Sequence, residues 1–204
     1  MADDTKISWT NATWNPIRGC SRVSEGCRHC YAGGVAARLS GPGQPYEGVA
    51  TRKLRVVSDD DQRVEARWTG EVRFLPEMLF IPSSWKRPRT IFVNSMADLF
   101  HERLTEVQIA AVFAAMALAP QHVFQALTKR ASRMRAWFEW FDFRSNTTSP
   151  GDVLSSSLEQ VAPGVLDEDH HNALVNVVNG YARWRGAPAG EGDGAALRVQ
   201  PEQP

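Results

Sequence analysis

Along this chain, short apolar runs alternate with segments whose apolar positions recur at helical spacing. "ISWTNATWNPIRG" carries β-branched and aromatic residues, with Pro16 and Gly19 punctuating its end. That predicts a short strand at 13–17 delivering Cys20 to a loop. "CRHCYAGGVAARLS" has the residues of a helix ending near Ser40. Its Gly33–Gly34 pair costs about 1 kcal/mol per residue relative to alanine; close packing, a ligand contact or simple tolerance would each account for it. Positions 41–69 read as loop-rich, marked by "GPGQP" and "SDDDQR". "GEVRFL" predicts a second strand at 71–75, and "PEMLFIPSSW" a short helix with Pro76 in its first turn. "RTIFVNS" predicts a strongly apolar third strand at 89–95. "LTEVQIAAVFAAMALAP" reads as a helix that Thr105 caps and Pro120 stops. "QHVFQALTK" gives a fourth strand at 121–128, and "ASRMRAWFEWF" a further helix.

Strands alternating with helices argue for parallel βαβ units, and the third and fourth strands are apolar enough to be buried on both faces. The expected fold class is therefore α/β, with four parallel strands forming a partial (β/α) barrel or a small open sheet over residues 1–143. After Phe143 the pattern changes. "RSNTTSPGD" reads as a linker, and "VLSSSLEQVA" and "DEDHHNALVNVVNGYARWR" as amphipathic helices of an appendage spanning 144–185. The Gly-, Pro- and Ala-rich stretch 186–204 is expected to be disordered.

Composition narrows the choices. With 23 Lys and Arg against 23 Asp and Glu, the net charge is zero, so a general electrostatic grip on nucleic acid is not indicated. The start, "MADDTKISWT", lacks the basic and apolar regions of a signal peptide. The longest apolar run, 109–119, is too short to span a bilayer. A cytoplasmic protein with reduced thiols is expected, where clustered cysteines mean metal or redox chemistry. All three cysteines, Cys20, Cys27 and Cys30, fall in one C-x6-C-x2-C cluster between the first strand and the first helix. Three thiolates can hold three irons of a 4Fe–4S cluster and leave the fourth open to a ligand. Zinc bound by the three cysteines and His29 or His101 is the alternative, and unligated thiols are a third.

"TWNPIRGCSRVSEGCRHCYA", "TIFVNSMADLFHE" and "FQALTKRASRM" resemble the motifs of a phage- and prophage-associated three-cysteine family of unknown function, itself similar to radical S-adenosylmethionine (SAM) enzymes. The resemblance covers residues 7–140. It implies a phage-encoded protein in the host cytoplasm, with a radical-SAM-like partial barrel and a 4Fe–4S cluster on Cys20, Cys27 and Cys30. It also implies SAM at the open iron as second cofactor, cleaved to a radical that attacks an unspecified substrate. The commonest radical-SAM spacing is C-x3-C-x2-C, shorter in its first gap than here. Members of the family continue with further strands. The resemblance thus also implies a chain that is truncated, split with a partner chain completing the barrel, or interrupted by its tail. The competing reading is a non-catalytic, zinc-stabilised binding module of a phage.

Asn94, Ser95 and Asp98 follow the third strand and are candidates for the amino group or ribose of SAM, unless Ser95 or Asp98 only caps a turn. Lys129 and Arg130 close the fourth strand and suit a carboxylate or phosphate, with Arg130 suited to bidentate contact. His101 and Glu102 form a weaker acid–base candidate, and His170–His171 reads as a solvated helix start. The seven tryptophans are expected mainly in the core.

Overall fold

The computed structural model describes residues 5–58 and 61–185. Three parallel strands form the central sheet: β1 (Ala12–Trp14), β6 (Thr90–Val93) and β7 (Val123–Ala126), in the order β1-β6-β7. The middle strand, "TIFV", is buried at Ile91, Phe92 and Val93, as a strand covered on both faces must be. α3 (Glu106–Ala117) links β6 to β7. Its start is a reciprocal cap: the Gln108 amide donates to Thr105 Oγ1 (3.2 Å), and the Thr105 amide to Gln108 Oε1 (3.0 Å). The α3 residues Ile109, Ala110, Val112 and Ala114 lie fully buried in the same core as Ala12, Trp14, Ile91 and Val93.

The expected four-stranded parallel arrangement is corrected to three strands, and the described residues close no barrel. The segment 71–75 contributes only β5 (Arg73–Phe74), which pairs antiparallel with β2 (Ile17–Arg18). The cause lies at Pro16, which has no amide hydrogen and separates β2 from β1. Its carbonyl instead accepts from the Leu75 amide (2.8 Å), which draws the 71–75 segment to β2. The fourth predicted strand is an edge: Val123 is 43% exposed and Leu127 51%.

The loop expected at 41–69 contains a long hairpin, β3 (Ala50–Ser58) with β4 (Asp61–Trp68). α1 (Tyr31–Arg38) packs on it through buried Ala36 and Ala37. Gly33 is explained here: a β-carbon on it would meet the Trp68 indole nitrogen at 3.3 Å, whereas one on Gly34 would meet nothing.

α4 runs over Ala131–Thr147 and α5 over Pro150–Val161, so the stretch read as a linker, 144–152, is mostly helical. Trp137 of α4 is buried, stacks on Phe113 of α3 (4.6 Å) and donates from its indole to the Glu106 carbonyl (3.0 Å). α5 packs on α3 and α6 (Glu168–Arg185), and Leu154, Leu158, Ala162 and Leu174 join the central core. The expected appendage therefore shares the core of the α/β body. The tail expected to be disordered, 186–204, lies outside the described residues. No helix among the described residues is long and apolar enough to cross a membrane.

Candidate functional site

The cysteines sit on the connection from β2 to α1. Gly19 starts it with φ +94°, a conformation open to glycine at little cost. It is bridged to Ala97, just past the carboxyl end of β6, and an added β-carbon would collide with the Glu71 carbonyl oxygen. The chain then runs through Cys20 and a single 3-10 turn, Glu25–Cys27, to Cys30, the N-cap of α1. All three thiols are free; Cys20 and Cys27 are half-buried and Cys30 is exposed.

Behind this loop lies a buried polar network that the sequence motifs only partly disclosed. Asp98 and Arg130, nearly buried, come from the connections after β6 and β7. Asp98 accepts from the Phe100 amide (2.9 Å) and Thr128 Oγ1 (2.8 Å) on one oxygen, and from the Lys129 amide (3.1 Å) and Arg130 Nη1 (3.2 Å) on the other. Arg130 donates from Nε to both Glu102 oxygens (2.9 and 3.0 Å) and from Nη2 to the Ser21 carbonyl (3.1 Å) and hydroxyl (2.8 Å). Its remaining contact is from Nη1 to Cys20 Sγ at 3.9 Å. Asp98 thus holds the turn 128–130, and Arg130 ties Asp98 and Glu102 to the cysteine loop. Ser21 was missed at the sequence level because a loop serine carries no pattern.

His101 belongs to the same network. The Arg103 amide donates to its Nδ1 (3.2 Å), which leaves the ring proton on Nε2 to be donated to Ser21 Oγ (2.9 Å). Glu102 lies 3.8 Å from Nδ1, but an ion pair there needs a proton on the nitrogen that already accepts from Arg103. Burial, and next the Arg130 charge, push the imidazole below its ordinary pKa. Both ring nitrogens are engaged, which disfavours both a proton-transfer role and a zinc ligand.

The thiols differ from one another. Burial raises the Cys20 thiol, and Arg130 only partly offsets it. Burial also raises Cys27, but hydrogen bonds at Val23 and Ser24 and the nearby Lys129 charge outweigh it and leave the thiol below its ordinary value. Lys129 reaches over the loop: a β-carbon on Gly26 would stand 3.2 Å from its Nζ. Two consecutive residues of the β7–α4 turn thus put one cation beside Cys20 and another beside Gly26 and Cys27.

The turn after β6 supplies the remaining candidates. Asn94 has φ +57° and is buried, yet neither its side-chain nitrogen nor its oxygen has a partner. A left-handed asparagine with an unsatisfied buried amide is a costly arrangement of the kind found at ligand sites. Ser95 donates to Asn15 Oδ1 (3.2 Å), and its carbonyl accepts from the Tyr31 hydroxyl (2.8 Å), tying this turn to the first residue of α1. His29 is exposed, and His170 pairs with Asp167 (2.6 Å) far along the chain.

Among the described residues, no group of three His, Cys, Asp or Glu side chains is so placed as to hold a metal ion. The donor set nonetheless fits an anionic iron–sulfur centre in chemistry and charge: three free thiols on one loop, with cations beside two of them. Residues 20–30 carry no α-helix or strand and one 3-10 turn, Glu25–Cys27, so the thiols can be drawn together without breaking an α-helix or a strand.

Fold and site together define a mixed α/β protein with a three-stranded parallel sheet and a cysteine loop near its carboxyl end. The chain belongs to the family described as "Protein of unknown function (DUF5131)", whose family model matches residues 4–178. No curated protein matches the chain, and no solved structure does.

Proposed function

We propose that this chain is an iron–sulfur protein of radical-SAM type, in which Cys20, Cys27 and Cys30 hold a 4Fe–4S cluster and one iron is left for SAM. The observation that carries the reading is the cysteine loop itself: three free thiols between β2 and α1, with Arg130 and Lys129 beside them. Three thiolates carry three negative charges, and fixed cations near them offset the repulsion of gathering those charges. When bound, the cluster supplies an electron and an open coordination position. Asn94, with both amide atoms unpartnered, Ser95 and Lys129 are the side chains assigned to SAM. Asp98 and Arg130 act on the same site from behind, by fixing the turn that carries Lys129 and the loop that carries Cys20.

Anaerobic reconstitution tests this directly. The wild-type chain is expected to bind about four irons and four sulfides per chain, and Cys20→Ala, Cys27→Ala and Cys30→Ala each to lose the cluster. Stoichiometric zinc in a colourless protein would establish the binding-module reading instead. If the cluster forms but its reduced electron paramagnetic resonance signal ignores SAM, an iron–sulfur protein without SAM chemistry remains.

A further inference from the structure

Arg130 is fixed from several sides. Glu102 takes Nε, Asp98 shares Nη1, and Ser21 takes Nη2 through its carbonyl and hydroxyl. The guanidinium side chain is only 4% exposed, and it bridges the end of β7 to the cysteine loop. One donor group is directed at a cysteine: Nη1 stands 3.9 Å from Cys20 Sγ. The two carboxylates around Arg130, Asp98 and Glu102, offset part of the charge it presents to Cys20, and its fixed direction sets it apart from a mobile cation. What it offers that sulfur is an oriented N–H. Lys129 stands over Gly26 and acts on Cys27 through its charge.

Hydrogen bonds to cysteine sulfur withdraw electron density from an iron–sulfur centre and stabilise its reduced form, which carries one more negative charge. We infer that Arg130 is the positioning residue that raises the reduction potential of the centre at Cys20, through an N–H···S contact whose direction Asp98, Glu102 and Ser21 hold. This rests on the iron–sulfur reading and gives Arg130 a role distinct from direct SAM contact. It also explains why arginine stands here. Lysine can place a charge at the site, but its ammonium cannot meet Glu102, Asp98, Ser21 and Cys20 together in one planar fork.

The test is a redox titration of reconstituted wild-type protein beside Arg130→Lys and Arg130→Gln, with iron content and circular dichroism taken on each. Both variants are expected to hold iron at a more negative midpoint potential than wild type, with Arg130→Lys between wild type and Arg130→Gln. A changed paramagnetic signal of the reduced cluster should accompany the shift. If Arg130→Gln does not fold or hold iron, Arg130→Lys carries the measurement. A cluster whose midpoint and signal are unmoved in the variants would overturn the inference and leave the iron–sulfur reading standing. A wild-type chain that takes up no iron would overturn both.

Discussion

At the scale of single residues, the costly positions lie around the cysteine loop. Asn94 combines a left-handed backbone with an unpartnered buried amide, and the two features separate by mutation. Asn94→Gly keeps the conformation and removes the amide, so stability should change by less than about 1 kcal/mol or improve. Asn94→Val forces a β-branched residue into the same φ and should lose at least about 1–2 kcal/mol in chemical denaturation. If Asn94→Gly proved as damaging as Asn94→Val, the amide would have partners that the geometry does not contain. The Asn94→Gly protein is then the cleanest background for asking whether SAM still perturbs the cluster. Ser21 makes a related point: an ordinary loop serine accepts hydrogen bonds from Arg130 and His101 and so becomes a joint of the site.

At the scale of elements, β6, α3 and α4 were legible because an apolar run, a reciprocal cap and an aromatic-rich helical segment are each local signals. The β3–β4 hairpin was not. Its sequence carries Arg52, Lys53, Arg55, Arg63, Glu65 and Arg67, so charge obscures the alternation that reveals a strand. β5 was misplaced because "GEVRFL" has strand-forming residues whichever partner it finds, and the partner was chosen by the Pro16 carbonyl. Within the site, the cysteines and the residues 94–98 and 129–130 stood out by type, while the pairing of Asp98 with Arg130 depends on contacts 32 positions apart. α5 was legible as a helix but not as a wall of the core. Leu158 at its centre is fully buried against the cluster that contains α3. Leu158→Ala should therefore cost about 2–5 kcal/mol, read as a lower denaturation midpoint of the whole chain. A loss confined to the helical signal of the last segment, with the remainder unchanged, would show that 144–185 folds apart from the sheet.

At the scale of the whole molecule, one buried imidazole links stability to acidity. Burial and the Arg130 charge depress His101 below its ordinary 6.5, against smaller opposing effects of Glu102 and Asp98. The unfolded chain therefore binds that proton more readily, so stability is complete above about pH 6.5 and falls as pH drops toward the folded value. Glu102 and Glu106 add a second loss on further acidification. Their carboxyls are held below 4.5: at Glu102 the backbone amide and Arg130 outweigh burial, and at Glu106 its own amide and then Arg133 act. Unfolding free energy measured from pH 8 down to about pH 3 should show both declines, and His101→Gln should remove the upper one. An unchanged upper decline in that variant would assign it elsewhere. The same network orders events in time. Cys20 and the arginine beside it are 110 positions apart. At about 5–20 residues per second, a ribosome makes the thiol roughly 5–20 seconds before its partner. A nascent chain thus displays three cysteines without the guanidinium that will orient one of them, so the finished setting of that sulfur is available only to a metal delivered after synthesis has passed residue 130.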